Sequence, residues 1–303
     1  MLIRVLFTPP SGFWRHPQTH QLLNLLLILL LGKLSAHLRL SWNEVFLLMT
    51  WSLLWETLLA YGLRGSRRRG SVSALSTAVG VMLMLAAPSL WILALAIVLG
   101  LLQKHLIRPG GHHLFNPSNF AVVVTMILFY SQAHIVLGQL GDREWLALLV
   151  LLLGAWILIR VDRWLIPLVF VGSYLLLEYL WVIRPDPVFV MEELWYRFYS
   201  VSFLVYILFM LTDPRTTPRS RWLQALFGLG VALAAAGLDA LYAPRAQHLF
   251  VALFLLSPLA GALERWREGN RRAFGAALGL FFLAIGVIIY LQSLPPYHFE
   301  MAR

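Results

Sequence analysis

A polar island between two apolar segments holds the residues of this chain best suited to bind a ligand. Residues 104–119 read Lys-His-Leu-Ile-Arg-Pro-Gly-Gly-His-His-Leu-Phe-Asn-Pro-Ser-Asn, with two adjacent glycines, three histidines and two asparagines. Gly110 and Gly111 permit positive φ and the close approach of a ligand or a second backbone. Because Asn116 and Asn119 are three residues apart, we expect both amides to face one side of a helical turn. Their donors and acceptors match the polar edge of a flavin or a quinone carbonyl.

Two other polar segments carry residues that suit the same site. Asp213-Pro214 repeats the helix-start form of Asn116-Pro117, in which an Asn or Asp caps the helix and proline opens it. Arg215 follows directly. Ser76 and Thr77 lie in an apolar segment rich in small and hydroxyl residues, which permit close helix approach and hydrogen bonds. The alternative, taken separately for each Asx-Pro pair, is a simple cap at a membrane surface.

Acidic residues inside apolar segments are few. A carboxylate within a membrane span is costly, so Glu56 is a candidate for a proton or cation pathway. Glu178 and Asp239 lie closer to predicted span ends, and we expect them to reach the membrane interface. The histidines lie in loops or near span ends, so the sequence predicts no haem. In the island they have no Asp, Glu or Cys beside them, and we predict no metal site there either.

The elements that must position these residues are transmembrane helices. The chain is 60% hydrophobic and 13% charged, with a mean hydropathy of +0.75. Apolar runs long enough to cross a hydrocarbon core of about 30 Å recur from end to end. The predicted class is therefore an all-α integral membrane protein with about 10–11 transmembrane helices. The eleven candidate spans are residues 21–37, 43–62, 71–87, 89–103, 116–131, 145–159, 164–183, 199–212, 223–241, 248–263 and 274–294.

The basic residues predict the orientation of these spans. With the N-terminus inside, 17 of the 24 Lys and Arg fall in inner segments and 7 in outer ones. Since cytoplasmic loops carry the Lys and Arg excess, we predict a cytoplasmic N-terminus and a periplasmic C-terminus. The island at 104–119, the segment around Asp213 and the start of the segment at Ser71 then share the cytoplasmic side. The net charge of +10 is explained by this bias and by the lipid bilayer, and we predict no nucleic-acid partner.

Absent residue types and motifs exclude several chemistries. The chain has no cysteine, which excludes disulfides, thiol catalysis and cysteine-ligated iron–sulfur clusters. No small-residue cleavage pattern accompanies the first apolar run, so we predict no removable signal peptide. No Walker, Rossmann or nucleophile-elbow pattern stands in a usable context.

Four segments, in order along the chain, resemble the NqrB/RnfD family. Residues 110–119 resemble its glycine-rich FNP segment, and residues 209–218 resemble its "FMATDP…SP" segment. Residues 73–88 followed by Lys104 resemble its "SA..TG.LLAL.LPP…GK" stretch, and residues 160–172 resemble its "WRIP" helix. The resemblance covers about residues 43–264. It implies a membrane subunit of the sodium-pumping NADH:quinone oxidoreductase or of the Rnf electron-transport complex.

The resemblance carries expectations about fold and cofactor. The family implies roughly ten helices, with two inverted five-helix repeats, one covalent FMN on a Thr after the FNP helix, and a non-covalent riboflavin. Residues 132–144 contain no Ser or Thr, so the covalent FMN site is absent. We expect three parts: an N-terminal cytoplasmic or interfacial segment at 1–20, an NqrB/RnfD-like transmembrane domain at 21–264, and an extra helix and tail at 265–303.

By this resemblance a non-covalent flavin, riboflavin or FMN, binds on the cytoplasmic side. Its expected ligands are Ser76, Thr77, Lys104, Gly110, Gly111, Asn116, Asn119, Asp213 and Arg215. Lys104 or Arg215 would stabilise a reduced flavin. Asp213 would cap a helix or orient Arg215.

Three functions remain open at the level of sequence. The first is an electron-transfer subunit of the bacterial inner membrane, with other membrane and periplasmic redox subunits as partners. The second is a structural membrane-anchor subunit of a respiratory or photosynthetic assembly with a vestigial flavin site. The third is an ion or small-solute transporter, because the fold resembles urea- and ammonium-transporter architecture.

Overall fold

Apolar helices make up most of the chain. The computed structural model describes residues 17–34, 38–64, 70–136, 144–185, 194, 196–198, 200–242 and 244–293. In these ranges the main helices are α1 Pro17–Leu34, α2 Trp42–Arg64, α3 Ser71–Met84, α4 Leu90–Leu106, α5 Pro117–Leu128, α6 Glu144–Val161, α7 Leu165–Glu178, α8 Val201–Val205, α9 Arg221–Tyr242, α10 Ala246–Arg267 and α11 Arg271–Ser293. The chain continues as π-helical turns after α7 (Tyr179–Ile183) and α8 (Tyr206–Met210). Most of the predicted N-terminal segment 1–20 and the tail beyond 293 lie outside the described residues.

Each predicted apolar segment coincides with a helix, and the all-α membrane class is confirmed. By length and composition, six helices of the described chain can cross a membrane alone, namely α2, α6, α7 with its π turn, α9, α10 and α11. The apolar α3, α4, α5 and α8 are shorter. Residues 201–211 are all buried, as are residues 77–85, so α8 and most of α3 are surrounded by other helices rather than by lipid.

Helices α3 and α5 end earlier than the sequence predicted. The expected spans ran to residues 87 and 131, but α3 ends at Met84 and α5 at Leu128. Beyond them the chain is extended, and β1 Leu85–Ala86 pairs antiparallel with β2 His134–Ile135. Non-helical backbone is tolerated at membrane depth only where protein or a cavity covers it. The ladder supplies backbone partners where the two helices stop.

The helix packing repeats after five helices. In the first half α1 packs on α3, α2 on α4, and α4 on α5. In the second half the same pairs recur, with α6 on α8, α7 on α9, and α9 on α10. Across the halves α1 packs on α6 and α5 on α10. This pattern agrees in part with the expected pair of five-helix repeats, since α3 also packs extensively on α2, α4 and α5, and α8 has no comparable contact with α7, α9 or α10 within the described chain.

Helix α11 is the expected additional helix. It follows α10 after a turn in which Gly269 has a φ of 71°. The helix packs along α10 and contacts a 3-10 turn at Pro109–Gly111. Its buried residues Ala273, Ala277, Ala284 and Ile288 face the bundle, and its other face is exposed. The extra helix therefore packs on the bundle through one face and leaves its opposite face exposed.

Candidate functional site

A small cavity collects polar residues from three distant segments. Ser76 and Thr77 of α3, Asn116 at the start of α5, and Asp213 and Arg215 after α8 all line it. The sequence predicted these five residues for one site, and the fold brings them together. Its volume is about 40 Å³, which holds about one or two water molecules. We call it the inner cavity.

Asn116 connects the two Asx-Pro segments. Its Oδ1 accepts hydrogen bonds from the backbone N–H groups of Ser118 and Asn119, both at 3.0 Å, and caps α5 as predicted. Its Nδ2 donates to Asp213 Oδ2 at 3.2 Å. The other Asp213 oxygen accepts from the backbone N–H of Arg215 at 3.0 Å, so Asp213 orients that loop. Burial raises the pKa of Asp213 above its ordinary value.

The hydroxyl residues of α3 keep acceptor capacity toward the cavity. Ser76 Oγ donates to the Val72 carbonyl at 2.9 Å, and Thr77 Oγ1 donates to the Ser73 carbonyl at 2.8 Å. Each hydroxyl proton is thus used within the helix, while the oxygen lone pairs remain able to accept. At this level α3 and α5 approach closely, since a Cβ on Gly80 would lie 2.4 Å from the Ser118 hydroxyl oxygen.

The structure does not place Asn119 at the inner cavity. Its Nδ2 donates to the Phe250 carbonyl of α10 at 3.2 Å, and it is not among the lining residues. The expectation from spacing assumed two helical residues on one face. Asn116 is instead the extended cap, with φ −60° and ψ 124°, so its amide turns back over the first turn while Asn119 points to a neighbouring helix.

Lys104 also lies away from the cavity. Its Nζ donates to Glu56 Oε2 at 2.8 Å, and His105 Nε2 lies 3.2 Å from the same oxygen. All three side chains are buried. The pair joins α2 to α4, which gives Lys104 a structural partner in place of the expected flavin. The ion-pathway role of Glu56 stays a prediction.

The two glycines of the island form a turn, and neither lines the inner cavity. Gly110 and Gly111 have φ of 72° and 87°, as the sequence predicted. A Cβ on Gly110 would lie 3.3 Å from Cβ of Ala273 in α11, and one on Gly111 would meet nothing within 4 Å. Arg265 Nε donates to the Pro109 carbonyl at 3.1 Å and holds the turn in place. The positive φ therefore serves the docking of the C-terminal helix.

A larger cavity adjoins the inner one, and we call it the vestibule. Its volume is about 370 Å³, and it shares His113 and Arg215 with the inner cavity. Arg108, Arg219 and Arg265 line it. Burial and the nearby cations, first Arg215, lower the pKa of His113 to about 3, so this imidazole is neutral at pH 7.

A second buried charge cluster lies at the equivalent point of the other repeat. Asp239 of α9 accepts from Tyr174 Oη of α7 at 2.8 Å, and Arg197 Nη1 lies at 3.2 Å. His248 Nδ1 lies 2.6 Å from the other oxygen. As Lys104 and Glu56 join α4 to α2, this cluster joins α9 to α7.

The sequence predicts that Asp239 and Glu178 reach the membrane interface; their depth in the membrane stays a prediction, but both lie inside the helix bundle and not on its surface. Their side chains are buried, with exposed fractions of 1% and 2%. The spacing of Tyr174 and Glu178, four residues apart on one helix face, was the available signal for a polar stripe facing another helix.

The fold and the site define an all-α, multi-pass membrane protein with buried polar clusters and a basic cavity between loop segments. Residues 134–239 match the model of the NQR2, RnfD, RnfE family. This match supports the resemblance of the chain to the NqrB/RnfD family, whose members are membrane subunits of Rnf- and Nqr-type complexes. The match, about a third of the chain, includes the WRIP-like and TDP segments; the FNP segment precedes it. No curated protein gives a significant match.

Proposed function

We propose that this protein is an electron-transfer subunit of a membrane redox complex and binds a non-covalent flavin at the inner cavity and vestibule. The observation that carries the proposal is the convergence of Ser76, Thr77, Asn116, Asp213 and Arg215 on one cavity from three segments of the chain. The family supports membrane redox partners for such a subunit. The flavin and its role go beyond the family match.

The donor set and the space can be compared with a flavin. Hydroxyl, amide and guanidinium groups suit the carbonyl and N–H edge of the ring and its ribityl chain. The inner cavity alone is too small for three fused rings. Joined to the vestibule through His113 and Arg215, it reaches the low end of the volumes that small-molecule sites have, about 300–1,000 Å³. The residues therefore fit a flavin that spans both spaces.

The residues have distinct roles in this proposal. A bound flavin would supply the one- and two-electron chemistry, while the protein supplies orientation and electrostatics. The Ser76 and Thr77 oxygens accept hydrogen bonds from ribityl hydroxyls. Asp213 and Asn116 hold the loop that presents Arg215, whose charge favours an electron-rich ligand. The chain must pass electrons to other subunits, because one flavin near one membrane face cannot bridge the bilayer.

The test is the flavin content of the purified protein in mild detergent, measured by absorbance and by fluorescence after denaturation. We expect near-stoichiometric flavin in the wild type. In S76F the added ring fills the inner cavity and removes the flavin. The matched control is S71F, an exposed position of the same helix, which keeps it. Wild-type protein that folds and carries no flavin after reconstitution with riboflavin or FMN would refute the proposal.

A second function is favoured by one observation. The Asn116 amide already makes three hydrogen bonds inside the protein, and the inner cavity is nearly filled. These facts suit a membrane-anchor subunit that has kept the fold and lost the flavin. In that case S76F and S71F would support assembly of the complex equally well, and neither would contain flavin.

A further inference from the structure

The vestibule has an excess of positive charge. Its lining includes Arg108, Arg215, Arg219 and Arg265 against Glu264 and Glu268, so four guanidinium groups face two carboxylates, a net charge of +2. The cavity also opens at the face to which the loop after α8 and the start of α5 contribute. Excess charge in a concave, partly buried space attracts counter-ions more strongly than the same charge on a flat surface.

Three of these arginines have no carboxylate partner among the described residues. The Arg265 guanidinium donates to the carbonyls of Pro109, Gly261 and His112, and Arg215 Nη2 donates to Gln18 Oε1 at 2.8 Å. The backbone N–H of Arg219 donates a hydrogen bond to Glu264 Oε1, and its guanidinium has no polar contact with the residues that the structure describes. None of the three guanidinium groups therefore forms an ion pair with a described carboxylate, and although Glu264 and Glu268 act on Arg265 at longer range, an excess of positive charge remains in the vestibule.

His113 provides an independent indication that something polar belongs between the two cavities. Its side chain is 6% exposed, lines both cavities, and has no hydrogen-bond partner in the described part of the chain. Its ring nitrogens do not belong to the fully buried polar atoms that lack a partner, so they reach the cavity space, where a polar ligand or water can bind them. Neutral His113 can donate one hydrogen bond to an anion that the arginines attract.

We propose that the vestibule binds a phosphate group through Arg219, Arg265, Arg215 and His113. The phosphate belongs either to an FMN that spans the inner cavity and the vestibule or to the headgroup of an anionic phospholipid. Guanidinium groups suit phosphate because their planar fork forms paired, charge-assisted hydrogen bonds with its oxygens. A charge of about −1.5 to −2 on a phosphate monoester also matches the excess of +2. The FMN source rests on the proposed function, and the phospholipid source does not.

The experiment compares FMN with riboflavin on the full-length protein in mild detergent, by quenching of flavin fluorescence. The variant is R219Q. Arg219 is exposed and its guanidinium makes no polar contact with the described residues, so the substitution should leave folding unaffected. The matched control is R272Q, an exposed arginine of α11 outside the vestibule lining. We expect FMN to bind about tenfold more tightly than riboflavin to the wild type and R272Q. In R219Q the preference should fall to about twofold, while riboflavin binding is unchanged.

A second measurement distinguishes the source of the phosphate. Native mass spectrometry of protein supplied with phosphatidylglycerol or phosphatidylcholine reports the retained lipid. If FMN shows no preference, Arg219-dependent retention of phosphatidylglycerol assigns the phosphate to a lipid and supports the site even where no flavin binds. Equal binding of FMN and riboflavin, together with lipid retention that R219Q does not change, would overturn the proposal. Loss of all flavin binding with intact phosphatidylglycerol retention would refute the proposed function alone.

Discussion

The buried pair between Glu56 and Lys104 gives the most specific prediction about stability. The two charges lie 2.8 Å apart, which at an effective dielectric constant of about 20 gives an attraction of about 6 kcal/mol. Desolvation of both groups offsets much of this attraction in the folded protein. In E56Q, however, the Lys104 ammonium stays buried without its carboxylate. We therefore expect E56Q to lower the free energy of unfolding by roughly 3–5 kcal/mol.

The assay is equilibrium unfolding in mixed micelles, applied to E56Q, K104M and the double variant E56Q/K104M. In K104M the carboxylate keeps His105 at 3.2 Å, so the loss should be smaller than in E56Q. The double variant has no unpaired ammonium, and it should recover at least half of the loss seen in E56Q. If the two single effects simply add, the pair is not a coupled structural unit. If K104M also removes flavin at wild-type stability, Lys104 serves the ligand after all.

Three other predictions concern charge, packing and pH. D239N should cost roughly 3 kcal/mol in the same unfolding assay, because it leaves the partly buried Arg197 guanidinium without its carboxylate. Y174F should cost about 1 kcal/mol, because it removes one neutral donor, and equal effects of the two substitutions would contradict the cluster. G228A should cost about 1–3 kcal/mol, because the added Cβ would lie 2.8 Å from a backbone carbonyl of α7. G275A should be neutral or stabilising, because its Cβ would meet nothing within 4 Å. The reverse order of the two effects would refute the packing of α9 on α7. The pKa of His113 is lowered to about 3 in the folded protein, so the unfolded state binds a proton at a higher pH than the folded state does. The free energy of unfolding should therefore fall as the pH drops below about 6.5, and it should fall less steeply in H113N. Identical pH profiles for the two proteins would exclude His113 as a cause of the pH dependence.

The sequence predicted the helices and part of the site, for identifiable reasons. Long apolar runs specify membrane helices without reference to partners, so each predicted segment coincides with a helix. The FNP and TDP segments were correctly placed together, and Asn116 and Asp213 are in direct contact. The early ends of α3 and α5 depend on pairing between Leu85–Ala86 and His134–Ile135, which are far apart in the chain. Local periodicity carries no signal for such pairing.

Partner choice was the part that local patterns could not predict. Lys104 was expected at the ligand, yet Glu56, 48 residues earlier, takes its charge. Asp239 was expected at the interface, yet three side chains from α7, the segment before α8, and α10 surround it. Each case is a long-range contact between helices that become neighbours only in the folded bundle. The basic vestibule was likewise not predictable from local sequence, since its arginines come from two loops and the end of α10.

In the proposed function a flavin occupies the space formed by the inner cavity and the vestibule. The most direct measurement is an electron cryomicroscopy map of the protein, isolated in mild detergent with its partner subunits, at the position enclosed by Thr77, Asn116 and Arg215. We predict a planar three-ring density that enters the inner cavity beside Thr77 and extends toward Arg219. A map in which side chains or a lipid tail fill that space, with no planar ligand, would contradict the claim.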